Sequence, residues 1–404
     1  MKSIELFSGA GGLALGVSLA GFHSVAVIEW DNIACATIRE NQANAYPMVS
    51  GWPLFENDVR HFQWSSIPED IDLLAGGPPC QPFSLGGKHL AYGDPRDMFP
   101  ATIDAIRLLR PKSFVIENVR GLMRSSFSTY YQYILLQLEF PDIARREREK
   151  WLDHLRRLRS EKASQKNRSA SHGYEVTSTL VNAADYGVPQ KRERVFIVGF
   201  RSDVGARWSF PRPTHGLNEL IASQWISEEY WERHHVPRRS RPKMPTKFRS
   251  TVPQQIVNKG VTSKKPWVTV RDALVGLPDP RKAEAAEFPN HRFQAGAKAY
   301  PGHSGSPLDL PAKTLKAGDH GVPGGENMLI QDNGQVRYFT VRESARLQSF
   351  PDGYYFRGSW TESMRQIGNA VPVSLARTVA ASVATSLIDA ALKEISEPRL
   401  RDSV

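Results

Sequence analysis

Cysteine is nearly absent: Cys35 and Cys80 are the only two in 404 residues. Two cannot build a disulfide framework or a cysteine-based zinc site, so a reducing, cytoplasmic setting is expected in which both stay thiols. Long apolar runs are also missing. None approaches the length of a membrane span, and Met1-Lys2 leads straight into Ile4-Glu5-Leu6-Phe7 without a signal-peptide core. No internal repeat or long low-complexity tract breaks the chain. Acidic residues are missing from one long stretch: residues 233–271 hold eleven Lys or Arg and no Asp or Glu, with His234, His235, Phe248 and Trp267 among them. Such a stripe points to an anionic polymer rather than to solubility alone. A second cluster, residues 145–168, has ten basic and four acidic residues and reads equally as a solvated face or a nucleic-acid contact. The net charge of +10 sits on an ordinary composition, 40% hydrophobic and 23% charged, in a chain long enough for a large domain and a smaller one.

What is present begins with an alternation of apolar strands and helical patterns over the first 120 residues. It predicts a parallel sheet with helices on its faces. Strands are expected at residues 3–7, 23–28, 71–75, 113–116 and 194–200, and helices at 13–20, 32–44 and 98–110. Leu152, Leu155 and Leu158 set a helix within the charged segment 139–170. Residues 201–337 are rich in proline, glycine and tryptophan with weak periodicity, the pattern of a loop-rich second domain. Thr340 and Glu343 form a capping box, and a last helix starts near Val373 after Pro372. The expected plan is a catalytic domain over 1–200 completed by 338–396, a second domain over 201–337, and a tail at 397–404.

Polar residues follow four of these strands, and in an open parallel sheet ligands bind outside the carboxyl ends. In IDLLAGGPPCQPFS, residues 71–84, two glycines and two prolines stop the strand and hold Cys80 at the start of a loop. A thiol there is either a nucleophile or a small packing residue in a tight turn. Ser8, Gly9, Ala10, Gly11 and Gly12 link the first strand to its helix, which suits a nucleoside cofactor but lacks the third glycine of the dinucleotide fingerprint. Glu29 is placed to accept from ribose hydroxyls; Trp30 offers a flat face to adenine or packs in the core; Asp58 accepts from an adenine amino group or merely turns the chain. Glu117 is a proton-holding carboxyl or a helix cap. Arg192 and Arg194 lie on one face of an extended segment, as ligands for a planar acceptor or as surface ion pairs.

Taken in order, LFSGAGGLALG, GGPPCQPFS, ENVRGL, GVPQKRERVFIVG, RESARLQSFPD and QIGNAVP resemble the motif set of the DNA (cytosine-5) methyltransferases of bacterial restriction-modification type. The resemblance covers about the first 200 and last 65 residues. It implies a doubly wound, mostly parallel, Rossmann-like α/β sheet with a smaller loop-rich target-recognition domain. It also implies methyl transfer from S-adenosylmethionine, leaving S-adenosylhomocysteine, to carbon 5 of a flipped cytosine in a short duplex DNA sequence, without a metal. By this resemblance Cys80 adds to carbon 6, Glu117 engages ring nitrogen 3, and Arg194 holds the carbonyl oxygen with Arg192 in support. Phe7, the 8–12 loop, Glu29, Trp30, Asp58, Val59, Gly77, Pro79, Phe99, Asn369 and Ala370 fall at cofactor positions. Gln81, Ser84, Arg238, Arg239, Arg241, Lys243, Lys247, Arg249, Lys264 and Lys265 fall where DNA is met, and residues 81–97 have a lid's composition. The implied partners are duplex DNA and a cognate restriction endonuclease, with no membrane and a monomeric enzyme. The insert between Arg124 and Gly173 departs from the compact members. A tRNA-cytosine methylase of the same fold is disfavoured by the large basic insert, and a non-catalytic DNA binder by the presence of both Cys80 and Glu117.

Overall fold

The computed structural model describes residues 1–67, 69–79, 97–165, 173–249, 263–301, 304–317 and 327–396. Two compact units share the chain. The first is Met1–Val181, Glu193–Pro211 and Ala376–Val404; the second is Asn182–Arg192 and Arg212–Leu375.

The first unit carries β1 (Lys2–Leu6), α1 (Gly12–Leu19), β2 (His23–Glu29), α2 (Asn32–Ala43), β3 (Leu54–Glu56), β4 (Leu73–Gly76), α3 (Phe99–Leu109), β5 (Ser113–Val119), α4 (Ser128–Glu139), α5 (Trp151–Gln165), β6 (Tyr174–Asn182) and β7 (Glu193–Arg201). They form one seven-stranded sheet in the order β3-β2-β1-β4-β5-β7-β6. β1 is parallel to β2 and β4, and β4 is parallel to β5, whereas β7 runs antiparallel to β5. The α/β sheet expected from the alternation, and the doubly wound, mostly parallel class implied by the resemblance, are therefore the fold. β1, β4 and β5 carry Ile4, Leu6, Leu74, Phe114 and Ile116, each almost wholly buried, as strands covered on both faces must. Strand edges shift by a residue or two, and β5 runs on through Glu117 and Asn118, which the sequence reading placed after it.

α5 is the helix expected in the charged insert, with Leu155 and Leu158 buried and Leu152 exposed. Its basic face is largely neutralised locally, by Arg157–Glu149, Arg156–Asp153 and Lys162–Glu139 at 2.9, 2.6 and 2.6 Å. Cys35 packs in the core, where burial pushes its thiol up to about 12, so it is unreactive.

The second unit contains β8 (His215–Gly216), α6 (Leu217–Trp225), α7 (Glu229–Arg233), α8 (Thr246–Arg249), β9 (Lys265–Pro266), α9 (Val270–Leu274), β10 (Ser306–Pro307), β11 (Met328–Ile330), β12 (Val336–Tyr338), α10 (Val341–Leu347) and α11 (Trp360–Asn369). Its small core gathers Ala184, Leu220, Tyr230, Trp231 and Trp267. Trp267, 8% exposed, thus belongs to this core, and Phe248, equally buried, packs its ring against Trp225 beside it, a correction to their reading as aromatics interleaved in a nucleic-acid stripe. The capping box forms as expected: Thr340 accepts from Glu343 N and Glu343 from Thr340 N.

Residues 338–375 group with this unit rather than with the sheet domain. Arg342, wholly buried, donates to the carbonyls of Pro289, Pro351 and Tyr354, and Arg346 donates to those of Ala273 and Val275. The last helix, α12 (Val373–Ser396), returns the chain to the first unit, where Ser382 accepts from Trp208 Nε1 at 3.0 Å. Among the described residues the Trp360–Ser396 stretch reaches the length and hydropathy of a membrane span, contrary to the sequence reading. Val379, Val383 and Leu387, however, bury one face of α12 in the protein.

Candidate active site

The sheet register aligns the residues that matter. Leu6 pairs with Ile28 and with Gly76, and Gly76 pairs with Ile116. The next residue of each strand is therefore Phe7, Glu29, Gly77 or Glu117, side by side along the carboxyl edge. Gly77 lets Glu117 come close: a Cβ there would meet Glu117 Oε2 at 3.3 Å, and that carboxylate would have to shift by a few tenths of an ångström. Asn118, almost fully buried, donates from Nδ2 to the carbonyl of Pro78 at 3.1 Å and accepts at Oδ1 from Val119 N at 2.9 Å. The end of β5 thus grips the turn two residues before Cys80. Cys80 itself, with Gln81, Ser84 and the expected lid up to residue 96, lies outside the described residues.

Glu117 faces Arg194, which β7 brings across the antiparallel pairing. Arg194 Nε stands 2.8 Å from Glu117 Oε1, the side chains being 12% and 9% exposed. The sequence reading gave each a separate task on the cytosine; here they form a nearly buried ion pair.

At the first strand end the backbone is strained in one place. Phe7 has φ 54°, a left-handed conformation costly for an aromatic residue, and Gly9 and Gly11 follow at 53° and 84°. Gly11 caps α1 without a side-chain bond, leaving the helix N-terminus open for polar groups. Ser8 is buried, its hydroxyl bonding the carbonyls of Glu5 and Ile28; Ala10 and Gly12 are buried beside it. Glu29, 7% exposed, accepts from Gly9 N (2.7 Å), Trp30 N (2.9 Å) and Asp31 N (2.8 Å). Burial raises its pKa despite these bonds. The carboxylate expected on a ribose therefore first shapes the glycine loop. Trp30 is 67% exposed, which excludes core packing and leaves a bare indole face beside that loop. Asp58 accepts from Arg60 N and pairs with its guanidinium, which holds the carboxyl below its usual range. Val59 is buried, Pro79 exposed, and Phe99, with no exposed surface, packs in the sheet core.

A family model for C-5 cytosine-specific DNA methylases matches residues 1–142 and 156–385. The chain belongs to that family. It is a DNA cytosine-5 methyltransferase. The part of the insert left unmatched, residues 143–155, includes the start of α5. The enzyme is 30% identical over 396 residues to the Type II methyltransferase M.PspPI of Psychrobacter sp., covering 98% of this chain and 81% of that one. It is 31% identical over 388 residues to M.NgoMIV of Neisseria gonorrhoeae, covering 95% and 97%. Among solved structures it resembles a protein assigned as a DNA modification methyltransferase of an E. coli prophage, with TM-score 0.57, 22% identity, and 96% and 99% coverage. At that identity the likeness shows the fold alone, as does a TM-score of 0.50 to the Dnmt2 methyltransferase of S. pombe, at 16% identity with 98% and 99% covered.

Two groups of expected residues need correction in the enzyme's second unit. Arg192 is not poised at an open site. It is 1% exposed and donates to the carbonyls of Leu315 (3.2 Å), Gly368 (2.7 Å) and Ala370 (3.0 Å). Asn369, between the last two, is exposed, and Ala370 is half-buried. Of the cations assigned to DNA, Arg241 is internal: its side chain is 13% exposed, donates to Val236 O and pairs with Glu228. Arg233 and Arg271 likewise pair with Asp272 and with Asp309 and Asp332, acids outside the acid-free stretch in sequence but beside it in space. Arg238, Arg239, Lys243, Lys264 and Lys265 are exposed, while the side chains of Lys247 and Arg249 lie outside the described residues. Asn118 and Gln190 were quoted within their motifs but given no task of their own; their burial and carbonyl partners reveal it.

Proposed function

We propose that the enzyme methylates cytosine within a specific short sequence of duplex DNA, extruding the base and attacking it through Cys80. The observation that carries this reading is the grouping at one sheet edge. Glu117 lies against Gly77, Asn118 holds Pro78 two residues before Cys80, and Arg194 faces the same carboxylate. A flat ring between thiol and carboxyl then has a nucleophile on one side and hydrogen-bonding groups on the other.

Cys80 Sγ adds to carbon 6, and Glu117, carrying a proton, bonds ring nitrogen 3, so the electron pair displaced from the 5,6 double bond gathers at carbon 5. Arg194 turns from Glu117 to the cytosine carbonyl oxygen. Once carbon 5 is methylated, loss of its proton and expulsion of the thiolate restore the ring. A positioned acid of this kind is worth about 10²–10⁴-fold. S-adenosylmethionine is the cofactor that supplies the electrophilic methyl group when bound. Phe7, residues 8–12 and Glu29 would hold it, with Trp30 and Asp58 toward its adenine. The open amino end of α1 and the bare face of Trp30 suit such a nucleoside. No metal takes part in this scheme, and the enzyme acts as a monomer. The relatives are Type II methyltransferases, and by analogy a restriction endonuclease cutting the same sequence is the companion of this one.

Bisulfite sequencing of a plasmid from cells expressing the gene tests the activity and its sequence context together. DNA carrying 5-fluorocytosine tests the chemistry: the native enzyme forms a denaturant-stable adduct and Cys80→Ala does not. Turnover by the alanine variant would overturn the thiol mechanism.

A further inference from the structure

Asp58, which the sequence reading offers to an adenine amino group, is crowded by a neighbour. Its position is set from the sheet: Glu29 pairs with Glu56 between β2 and β3, and Asn57 N donates to Glu29 O at 2.9 Å. Asp58 is therefore the next residue after a bond to the strand end that presents Trp30. Its carboxylate caps the short turn Val59–His61 by accepting from Arg60 N at 2.9 Å. The Arg60 side chain then folds back onto the same group, Nε standing 3.0 Å from each oxygen and Nη2 bonding Oδ2. Four donor contacts from one residue thus fall on a group with about four acceptor positions. The side chain of Asp58 is 19% exposed and that of Arg60 46%, so the guanidinium has water to turn to and the carboxylate has little. A second ion pair, Arg39 with Glu56 at 2.7 Å, lies two residues before Asp58 and does not involve it.

We propose that Arg60 is an affinity-determining residue for the cofactor: its guanidinium competes with the adenine amino group for the Asp58 carboxylate, and holding the base requires that pair to open. This rests on the reading that the cofactor is S-adenosylmethionine with its adenine toward Trp30 and Asp58. A guanidinium is a charged, planar donor that grips both oxygens, whereas the amino group is neutral and brings one N–H to bear. The pair's exposure limits its strength, since exposed ion pairs contribute little. Arg60 therefore lowers the affinity by a small factor and does not close the site. Salt screens the pair but not the stacking face of Trp30, so added salt should relieve the competition.

Titration calorimetry with S-adenosylhomocysteine, and with its analogue carrying hydrogen in place of the adenine amino group, reads the competition without turnover. Arg60→Gln should tighten S-adenosylhomocysteine about two- to fivefold and leave the deamino analogue at its native affinity. Arg60→Lys, which keeps the charge and loses the fork, falls between, and Arg39→Gln changes neither. Added salt should bring the native enzyme toward Arg60→Gln for S-adenosylhomocysteine. No binding of S-adenosylhomocysteine by the native enzyme, or equal binding of the two ligands by Arg60→Gln, would remove the adenine reading and the proposal with it. Where that reading stands, the proposal alone is overturned by an Arg60→Gln enzyme with native or weaker affinity for S-adenosylhomocysteine, by an equal gain for both ligands, or by the same gain in Arg39→Gln.

Discussion

Replacing Arg194 by leucine removes the guanidinium that faces Glu117 while keeping bulk at the site. The two groups stand 2.8 Å apart with about a tenth of each side chain exposed. At an effective dielectric near 20 their attraction is roughly 6 kcal/mol, and the lost hydration of two ions offsets much of it. Removing one member of a buried pair costs about 3–5 kcal/mol because the remaining charge has nothing to face. The residual exposure puts Arg194→Leu near the lower end, at about 3 kcal/mol. Glu117→Gln added to Arg194→Leu leaves no charge, so the double variant should be destabilised by about 2 kcal/mol less than the sum of the singles. Urea unfolding of the four proteins, followed by tryptophan fluorescence and far-ultraviolet dichroism, measures that coupling. A double variant equal to the sum within about 0.5 kcal/mol would refute the pairing as an energetic unit. All three variants should also lose methyl transfer, each having lost a group assigned to the cytosine.

Other expectations bear on single residues. Glu5 is fully buried beside Ser3 Oγ at 2.6 Å, and burial pushes its carboxyl up to about 7 from 4.5. The folded protein keeps that proton where the unfolded chain releases it, so stability falls by about 3 kcal/mol as pH rises from 4.5 to 7 and then levels. Glu5→Gln should remove this dependence in melting curves taken across that range; an unchanged pH profile would contradict it. Asn118→Ala leaves the Pro78 carbonyl without its donor, at about 1–3 kcal/mol, and should slow 5-fluorocytosine trapping at least tenfold while cofactor binding holds; trapping at the native rate would show that the turn holds itself. Trp30→Ala removes an exposed stacking face worth about 1–3 kcal/mol, so KM for the cofactor should rise with no loss of folding stability, and an unmoved KM would place the adenine elsewhere.

Much of this was legible in the chain because it depends on local order. Apolar strands of a few residues, glycines and prolines at their ends, and the T-x-x-E box at Thr340 obey rules that act over a handful of neighbours, and the α/β sheet followed from them. So did the convergence of the strand ends that lead to the 8–12 loop, Glu29 and Glu117, since parallel strands present their carboxyl ends at one edge. The charge of the second unit was not legible. Residues 233–271 look unopposed in sequence, yet Glu228, Asp272, Asp309 and Asp332 approach Arg241, Arg233 and Arg271 in space.

The two arginines of QKRER show the division best. Their identity and spacing named them as a pair, but spacing cannot say which carbonyl or carboxylate each will meet. Arg194 meets Glu117 because β7 runs antiparallel to β5, and Arg192 meets Leu315, Gly368 and Ala370, residues more than a hundred positions away. Hydrogen-bond partners at such separation depend on how distant segments pack. That is why the sequence alone established the chemistry this chain carries, and only the folded structure decided which side chains perform it and which hold them in place.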